Sequence, residues 1–404
     1  MSLLRDRRLA ALLAAEVISS LGTQMTWIAL PWFVLKTTGS PQRMTWVMVA
    51  EIVPIAVLGF WGGAIAGRLG TRRTMLICDF ARAPLFVLIP ALHEAGLLPF
   101  WALIALVAAS GAFIAPYLGV QRAVLPELVG EDQTEVSSAN ALLQAANRMT
   151  IFLGPPIAGV LIAVTSAPNV LYIDAATYVV SFVLIGLFVH PPEVPAPEDQ
   201  RGALEGARFV MRDKLLRIWQ PSFTLLDSCW NLFFASLPVL VFREFDANPH
   251  IVGWMFGALG GGALAGALVA LRAVRRVDAF TLFPIAFICQ VASMWGVVAP
   301  GSWLMPVGAM ASAGFFMSLV NAPLQTVVML RVPRHLRTQT MAFSAVLNCT
   351  ASPLGLVAAG WALSHYNVRH VIAVVLALQT IAILTIVATA LAERASLRAV
   401  ESTA

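Results

Sequence analysis

The recurrence of long apolar stretches constrains this chain more than any other feature of its sequence. Twelve runs, each near the roughly 20 residues that a membrane-spanning helix needs, follow one another along 404 residues. Only 12% of the residues are charged, whereas soluble domains carry about 25%. The chain lacks the charge for a water-facing surface, so the sequence predicts an all-α polytopic membrane protein. The runs are 9–35, 44–66, 74–93, 99–120, 138–165, 169–190, 217–242, 250–271, 279–299, 303–326, 340–365 and 370–391.

Lysine and arginine are distributed unequally among the segments that join these runs. Of the 26 such residues, Arg82 and Arg148 fall inside runs and four fall in turns on one side, which leaves twenty for the other side. Basic residues are retained on the cytoplasmic side. The sequence therefore predicts a multi-pass membrane protein with both termini in the cytoplasm. The four external residues are Lys36, Arg43, Arg243 and Arg369.

Short elements of the first half of the chain recur, in the same order, about 200 residues later. They predict two halves of six spans each, 1–190 and 217–404. The segment 191–216 is then a cytoplasmic linker, with an amphipathic helix expected to lie on the membrane face. Parallel halves of this kind place a substrate cavity between them, near the bilayer midplane. The recurring elements are Leu30-Pro31 with Leu237-Pro238, Ala115-Pro116 with Ala322-Pro323, Arg72-Arg73 with Arg275-Arg276, and Pro155 with Pro353.

The sequence offers little to a metal, a cofactor or a nucleic acid. The four cysteines are scattered through apolar runs without metal-ligand spacing, and the six histidines lie near the ends of runs. Neither an HExxH nor a GxxxxGK[ST] motif occurs. The arginines lie in short loops without interleaved aromatic residues, so the net charge of +5 does not indicate nucleic acid. We expect no cofactor and no nucleic-acid partner.

The turn between the second and third runs is basic and rich in glycine. It reads GGAIAGRLGTRRTML over 62–76, with Arg68, Arg72 and Arg73 crowded around it. Gly70, between the second and third runs, is free to adopt a positive φ. Such a turn between apolar spans is typical of a cytoplasmic loop.

A second motif, GPPIAG over 154–159, lies in the fifth run. Pro155 frees a backbone carbonyl and kinks the span. Gly154 and Gly159 let a neighbouring helix approach closely. Ordinary packing of small residues is the alternative explanation of this motif.

Together, these features resemble the major facilitator superfamily. The loop is similar to the family signature G-x-L-A-D-R-x-G-R-R-x-x-L, which it matches at Gly63, Arg68, Gly70, Arg72 and Arg73, among others. The resemblance implies twelve transmembrane helices in two pseudo-symmetric six-helix bundles, working as a monomer. It also implies that an acidic residue of the signature locks the cytoplasmic side. Here Gly67 stands in that place, and Asp79, three residues past the motif, is a possible substitute.

The resemblance also indicates a direction of transport. The motif in the fifth run is similar to the G-P-x-x-G-G element typical of antiporter-type exporters. Three further segments, LGTQMTWIALPWFVLKTTGSP, QRAVLPELVGEDQTEVSSANAL and EGARFVMRDKLLR, resemble a branch of bacterial exporters. That branch includes macrolide efflux, enterobactin export and mycobacterial multidrug efflux proteins.

Charged groups inside the spans are functional hypotheses, because each costs on the order of 3 kcal/mol on insertion scales. A carboxyl among apolar groups binds a proton more readily than one in water. Glu16, Glu51 and Asp227 are therefore candidate proton carriers; the alternative is a hydrogen-bonded structural carboxyl. Arg148 is a candidate partner that competes with the proton, unless its side chain reaches the cytoplasmic face instead.

Three other charges are expected to be structural. Asp79 and Arg82, spaced i, i+3 in the third run, are expected to pair. Asp174, near the start of the sixth run, is expected to cap or anchor that helix.

Polar and aromatic residues of the first and seventh spans are candidates for the substrate cavity, which these two spans usually line in the family that the chain resembles. Glu16 shares one helix face with three of them, at 4-3-4 spacing. Under the internal repeat, Asp227 corresponds to Ser20 and Asn231 to Gln24. The candidate cavity residues are Ser20, Thr23, Gln24, Trp27, Trp230, Asn231 and Phe234.

The predicted function is proton-coupled efflux of amphipathic small molecules, such as antibiotics or siderophore-like natural products, by alternating access. Without an ATP-binding motif, the energy has to come from an ion gradient. The alternatives are a transporter of lysophospholipid or another lipid and, less favoured, an enzyme within the membrane.

Overall fold

The computed structural model turns the apolar runs into helices, as a lipid environment requires. A chain in lipid has to satisfy its backbone hydrogen bonds internally, and a helix does so within a single segment. The structure describes residues 6–121, 124–130, 132–190, 203–273, 276–333 and 336–403. Within those ranges the side chains are described except at 59–67, 133–134, 148, 152, 203–206, 279–280, 322, 326, 329–330, 337–338, 341–342, 345–346, 349 and 394–403.

Fourteen α-helices and no strand occur in these ranges. All except the fifth and the eighth correspond one to one to the twelve apolar runs, which confirms the predicted all-α fold. Nine of them, counted over the described residues alone, are long and apolar enough to cross a membrane. The helices are α1 (Arg7–Thr38), α2 (Pro41–Leu69), α3 (Thr71–Glu94), α4 (Phe100–Gln121), α5 (Val124–Val129), α6 (Gln133–Val164), α7 (Ala167–Phe188), α8 (Ala203–Arg212), α9 (Leu216–Glu244), α10 (Pro249–Ala273), α11 (Ala279–Met294), α12 (Leu304–Arg331), α13 (Arg337–His365) and α14 (Val368–Thr403).

The chain divides into two compact units, Met1–Asp199 and Gln200–Ala404. In the first unit α1 packs on α6 and α7, α2 on α4, and α3 on α4 and α7. In the second unit α9 packs on α13 and α14, α10 on α12, and α11 on α12 and α14. The pairs correspond helix by helix, so each unit contains the same arrangement. The limits predicted for the linker and the two halves stay a prediction.

The glycine turn between α2 and α3 has the predicted backbone conformation. Gly70 has φ +79° and separates the last residue of α2, Leu69, from the first residue of α3, Thr71. A side chain is strained at such a φ, which explains why glycine stands there.

Helix α8 has the predicted amphipathic character, and its apolar face is directed at the second unit. Its Val210 side chain is buried in the apolar core of the second unit, in one cluster with Leu216 and Trp219. The helix packs against α13 and α9. Its buried face therefore rests on apolar side chains of the second unit, and its place at the membrane face stays a prediction.

Hydrogen bonds and salt bridges stabilise the turn after α8. The carboxylate of Asp213 accepts hydrogen bonds from the backbone N–H groups of Leu215 and Leu216. Arg331, at the end of α12, forms salt bridges of 2.9 Å to Asp213 and 2.6 Å to Glu393 on α14. Three elements of the second unit thus meet at one guanidinium.

Backbone contacts between α10 and α12 explain part of the glycine content of the second unit. A Cβ atom at Gly262 or Gly266 would overlap the backbone carbonyls of Ala311 and Phe315. A Cβ atom at Gly314 would likewise overlap the carbonyl of Leu259. Small residues let helices in a membrane approach this closely.

Candidate functional site

The first unit buries four carboxyl side chains and one guanidinium. They come from α1, α2, α3 and α7, and none is more than 8% exposed. With all five ionised, four negative charges and one positive charge leave a net charge of −3. Removing charges from water costs several kcal/mol per ion unless they are paired. The five residues, which we call the buried charge cluster, are Glu16, Glu51, Asp79, Arg82 and Asp174.

Glu16 reaches from α1 to two donors on α4. The Tyr117 hydroxyl donates to Glu16 Oε1 at 2.8 Å, and Gln121 Nε2 donates to Glu16 Oε2 at 2.5 Å. The two donors lie one helical turn apart and hold both oxygens of the carboxyl group.

Asp174 lies at the contact between α7 and α1. The Thr26 hydroxyl donates to Asp174 Oδ2 at 2.6 Å, and the Tyr178 hydroxyl lies 3.4 Å from the same oxygen. Tyr178 Oη is also 2.9 Å from Thr23 Oγ1. A Cβ atom at Gly22 would collide with the Asp174 carboxylate, so this glycine allows α1 to approach α7.

The prediction that Asp174 caps its helix is wrong, whereas an anchoring role for it stays a prediction. Ser166 occupies the N-cap of α7 and accepts from the Asn169 N–H. Asp174 lies two turns further on and is fully buried. It was misplaced because the sequence did not show where the helix begins.

Arg82 stacks on an aromatic ring instead of pairing directly with an acid. Its Cζ atom is 4.2 Å from the centroid of the Tyr178 ring, and its Nε lies 3.4 Å from Ser110 Oγ. It interacts electrostatically with Asp174, Asp79 and Glu51. Among the described residues, however, no carboxylate oxygen lies within 4.0 Å of an Arg82 nitrogen.

The predicted pair of Asp79 and Arg82 is therefore not a direct salt bridge. Asp79 Oδ2 accepts instead from the Ser181 hydroxyl on α7 at 2.7 Å. Over the part of the chain that the structure describes, Asp79 Oδ1 and Arg82 Nη2 have no hydrogen-bond partner. Asp79 faces the interior of the unit, and a role for it in the loop stays a prediction.

Glu51 lines a narrow cleft between α1 and α2. Arg82 and Asp174 act on it electrostatically from α3 and α7. A Cβ atom at Gly111 on α4 would overlap the backbone carbonyl of Glu51, so α4 packs directly on α2 at this position. The cleft is lined by Trp27, Leu30, Pro31, Met48, Glu51 and Ile52.

The four residues spaced along one face of α1 meet different neighbours. Glu16 contacts α4, and Thr23 contacts Tyr178 on α7. Ser20 Oγ donates to Asn147 Oδ1 on α6 at 3.4 Å. Trp27 lines the cleft toward α2. This face of α1 therefore contacts three different helices and also lines the cleft. Gln24, beside this face, packs on Gly154 of α6.

The predicted residues of the second unit lie together on α9. Asn231 Nδ2 donates to the backbone carbonyl of Asp227 at 2.9 Å. The Asp227 side chain is half-buried, and its carboxylate accepts no hydrogen bond from another described residue. The Trp230 and Phe234 rings are 5.0 Å apart, and Phe256 lies 5.5 Å from Phe234.

The second unit differs from the first in its buried polar groups. As far as the structure describes them, those that are fully buried are all uncharged. They are Gln220, Ser222, Ser236, Gln290, Thr340, Ser352 and Gln379.

The residues of the basic loop contact neighbouring elements or are exposed, whereas most of the motif of the fifth run is buried. Arg72 Nη2 donates to the backbone carbonyl of Gly186 at 2.7 Å. The Thr71 hydroxyl donates to Glu127 of α5, an acidic contact that the sequence did not reveal. Arg68 and Arg73 are exposed, whereas Gly154, Pro155 and Gly159 are buried. Gly63, Gly67, Arg148 and Arg275 fall on positions outside the described residues or side chains.

Sequence reasoning missed the centre of the cluster, which is Arg82 with Asp174 and Tyr178. Two signals were available. An arginine inside an apolar run is as costly as an acid there. The spacing of Asp174, Tyr178 and Ser181 is 4-3, which places all three on one helix face.

Comparison with known proteins identifies the family. The model of the Major Facilitator Superfamily matches residues 12–355 and 221–403. The multidrug efflux pump Tap of Mycolicibacterium fortuitum is 27% identical over 87% of this chain and 88% of its own length. The staphyloferrin A transporter of Staphylococcus aureus is 24% identical over 69% of this chain and 70% of its own length.

Solved structures agree on the fold. The nucleoside transporter NupG matches with a TM-score of 0.72 at 12% identity, covering 94% of this chain and 98% of its own. A bacterial homologue of the iron transporter ferroportin, in an inward-facing state, matches with a TM-score of 0.73 at 14% identity. That match covers 96% of this chain and 100% of the other. The chain therefore belongs to the Major Facilitator Superfamily and is a multi-pass membrane transporter, not an enzyme.

Proposed function

We propose that this protein exports amphipathic small molecules, such as antibiotics or siderophore-like natural products, in exchange for protons by alternating access. It works as a monomer in a bacterial inner membrane with both termini in the cytoplasm. The names of two relatives, a multidrug efflux pump and a staphyloferrin A transporter, support this class of substrate.

The buried charge cluster is the observation that carries the proton coupling. Four carboxyls share one guanidinium, and none of them forms a salt bridge with it among the described residues. An uncompensated carboxylate in a membrane span is costly. Binding a proton removes that cost, so a cluster with excess carboxyls is suited to take up and release protons as its access to water changes.

The proposed proton carriers are Glu16, Glu51 and Asp227, with Arg148 as a partner. Glu16 and Glu51 belong to the cluster, whereas Asp227 stands alone on α9 with its half-buried side chain. Ser20, Thr23, Gln24 and Trp27 of α1 and Trp230, Asn231 and Phe234 of α9 are the proposed substrate contacts.

Reconstituted liposomes test the proposal. The protein is incorporated, a pH gradient is imposed, and uptake of cationic and neutral drugs is followed beside a fluorescent lysolipid. Drug flux that responds to the size and sign of the gradient is expected. Drug flux that ignores the gradient would overturn proton coupling, and movement of the lysolipid alone would favour a lipid transporter.

Single substitutions test the carriers. Glu16→Gln, Glu51→Gln and Asp227→Asn are each compared with Glu135→Gln, an exposed site at the start of α6. We expect at least one of the three to abolish gradient-driven flux while the control keeps it. Normal flux from all three, at normal folded levels, would show that the proton binds elsewhere.

A further inference from the structure

Helices α3 and α7 pack along a regular seam that begins at the start of α3. Facing pairs recur every four residues, which is about one helical turn. Residue numbers rise along α3 while they fall along α7, so the two helices are antiparallel. The facing pairs are Arg72 with His190 just after α7, Leu76 with Gly186, and Phe80 with Phe182.

The seam opens onto an apolar face of the first unit. Ile77 and Phe80 follow Arg73 at i+4 and i+7, so all three share one exposed face of α3. Val183 and Leu187 give α7 a similar exposed stripe. Since both helices are candidate membrane spans, lipid chains cover these side chains.

Gly186 leaves a recess in this seam. Gly22 and Gly111 are required by packing, because a Cβ atom at either position would overlap a neighbouring helix. At Gly186, by contrast, a Cβ atom would lie 3.8 Å from Leu76 Cδ2, which is an ordinary contact distance, and no other described atom of a neighbouring helix lies within 4 Å. Helix packing therefore does not require glycine here, and the missing side chain leaves space for a ligand one turn from Arg72.

The end of the seam at Arg72 is positively charged. Arg72 Nη2 donates to the Gly186 carbonyl and lies 3.3 Å from His190 Nε2. Arg73, its neighbour in the chain, is exposed. Neither arginine forms a salt bridge with a described acid. Their charges are therefore available to an anion from the bilayer.

Glu127 contributes an opposing charge near this end, where its carboxylate accepts a hydrogen bond from the Thr71 hydroxyl. Arg68, at the end of α2, is exposed like Arg73. Together with Arg72, the three arginines and one glutamate carry three positive charges and one negative charge, which leaves +2. This surplus favours a negatively charged ligand.

We propose that this seam binds an anionic phospholipid. Its phosphate is held by Arg72 and Arg73, because guanidinium groups bind phosphate oxygens in pairs. Its glycerol backbone occupies the recess at Gly186, and its acyl chains lie over Phe80 and Phe182, about 12 Å along the helix from Arg72. Basic pockets between spanning helices favour such head groups. The inference goes beyond the proposed function, since it depends neither on the substrate nor on protons.

Native mass spectrometry of the purified, delipidated full-length protein measures the binding of single lipids. The probes are phosphatidylglycerol and phosphatidylcholine with identical acyl chains, so that they differ in the head group alone. We expect the first phosphatidylglycerol to bind at least about fivefold more tightly, which is the effect of a single arginine near a membrane surface. Equal affinities would overturn the inference. So would equally strong binding of glycerophosphoglycerol, which has the same head group but no acyl chains.

Two pairs of variants locate the site. Arg73→Gln is expected to remove most of the preference, whereas Arg272→Gln, at an exposed arginine in the last turn of α10, should keep it. Gly186→Leu fills the recess and should weaken binding of phosphatidylglycerol. Gly261→Leu should not, because a Cβ atom at Gly261 meets nothing within 4 Å. The inference is wrong if Arg73→Gln or Gly186→Leu binds like the wild type, or if a control loses as much as the variant it is paired with.

The wild-type protein provides a test that no folding defect can affect. A phosphatidylglycerol with a photoactivatable diazirine in one acyl chain is bound at one equivalent and cross-linked, and the labelled peptides are identified by mass spectrometry. Labelling is expected at 77–80 and 182–187. Labelling spread evenly over the exposed faces of the helices would show that lipid covers the protein without a site there, which contradicts the inference.

Discussion

The Arg82 guanidinium lies over the ring of Tyr178, with Cζ 4.2 Å from the ring centroid. The hydroxyl of the same tyrosine reaches Thr23 on α1 and Asp174 one turn back on α7. One side chain thus holds the only buried cation among the described residues by its face and a buried acid by its edge. This arrangement keeps the positive charge near several carboxyls without a salt bridge to any one of them.

The ring and the hydroxyl of Tyr178 are expected to make separate contributions to the stability of the folded protein. Tyr178→Phe keeps the ring under Arg82 and removes the hydroxyl, which should lower stability by about 1 kcal/mol. Tyr178→Leu removes both and should cost roughly 0.5–2 kcal/mol more. Thermal unfolding in detergent measures the difference, with Tyr172→Phe as control. Equal stability of the Phe and Leu variants would show that the ring does not hold Arg82.

Glu16 and Gln121 are expected to be energetically coupled. Gln121→Met removes the donor to one buried carboxyl oxygen, and leaving such an oxygen unsatisfied should cost about 1–3 kcal/mol. In a Glu16→Met background the same change should be nearly neutral, because neither partner then needs the bond. A double-mutant cycle on thermal unfolding measures the coupling. An equal cost in both backgrounds would contradict it.

Two neighbouring glycines of α10, Gly261 and Gly262, provide a matched pair of alanine substitutions. Gly262→Ala should destabilise the second unit by about 1–3 kcal/mol, because the new methyl group overlaps the Ala311 carbonyl and separates α10 from α12. At Gly261 a Cβ atom meets nothing within 4 Å. Gly261→Ala should be neutral or stabilising by up to about 1 kcal/mol, as alanine favours a helix. Thermal unfolding of both variants is the measurement, and a similar effect of both would refute the close packing.

Glu127 is expected to make the stability of the folded protein depend on pH, and a variant that cannot titrate isolates its contribution. It lies on α5, outside the spans, where burial raises the pKa of its carboxyl and the hydrogen bond from Thr71 opposes that rise. A raised pKa means that the folded state holds the proton more tightly than the unfolded state. The resulting stability is fully present below the ordinary glutamate pKa and is lost as pH rises through the raised value.

Glu127→Gln cannot titrate and should lack this dependence. The melting temperature of the wild type, relative to that of Glu127→Gln, should fall as pH rises from about 4 to about 8. Thr71→Val removes the bond that lowers the pKa and should move the transition to higher pH. Parallel melting curves for the wild type and Glu127→Gln would rule the effect out.

Much of the fold followed from the sequence because lipid leaves few choices. Each apolar run had to become a helix, and the turn at Gly70 needed a residue that tolerates positive φ. Glu16 and Glu51 were identified as buried acids because a charged residue in a span is conspicuous wherever the neighbouring helices lie.

The partners of those acids depended on information that periodicity does not hold. Spans that are apolar on most sides carry no clear signal of their rotation, so the donors Tyr117 and Gln121 were missed. Asp174 was expected to cap its helix because the sequence did not show that the helix begins at Ala167, with Ser166 as its N-cap. Its burial also depends on Gly22, whose missing side chain admits the carboxylate.

The unequal division of buried charge between the two units has an electrical consequence. A membrane potential does work on charges that move within the bilayer, about 2.3 kcal/mol for each elementary charge moved through 100 mV. In the described part of the chain, the fully buried carboxyl and guanidinium groups that can feel this field belong to the first unit, and the fully buried polar side chains of the second unit are neutral dipoles. Any voltage dependence of transport that arises from fully buried charges therefore comes from one copy of the repeat, and the other copy contributes to it through less deeply buried groups such as Asp227.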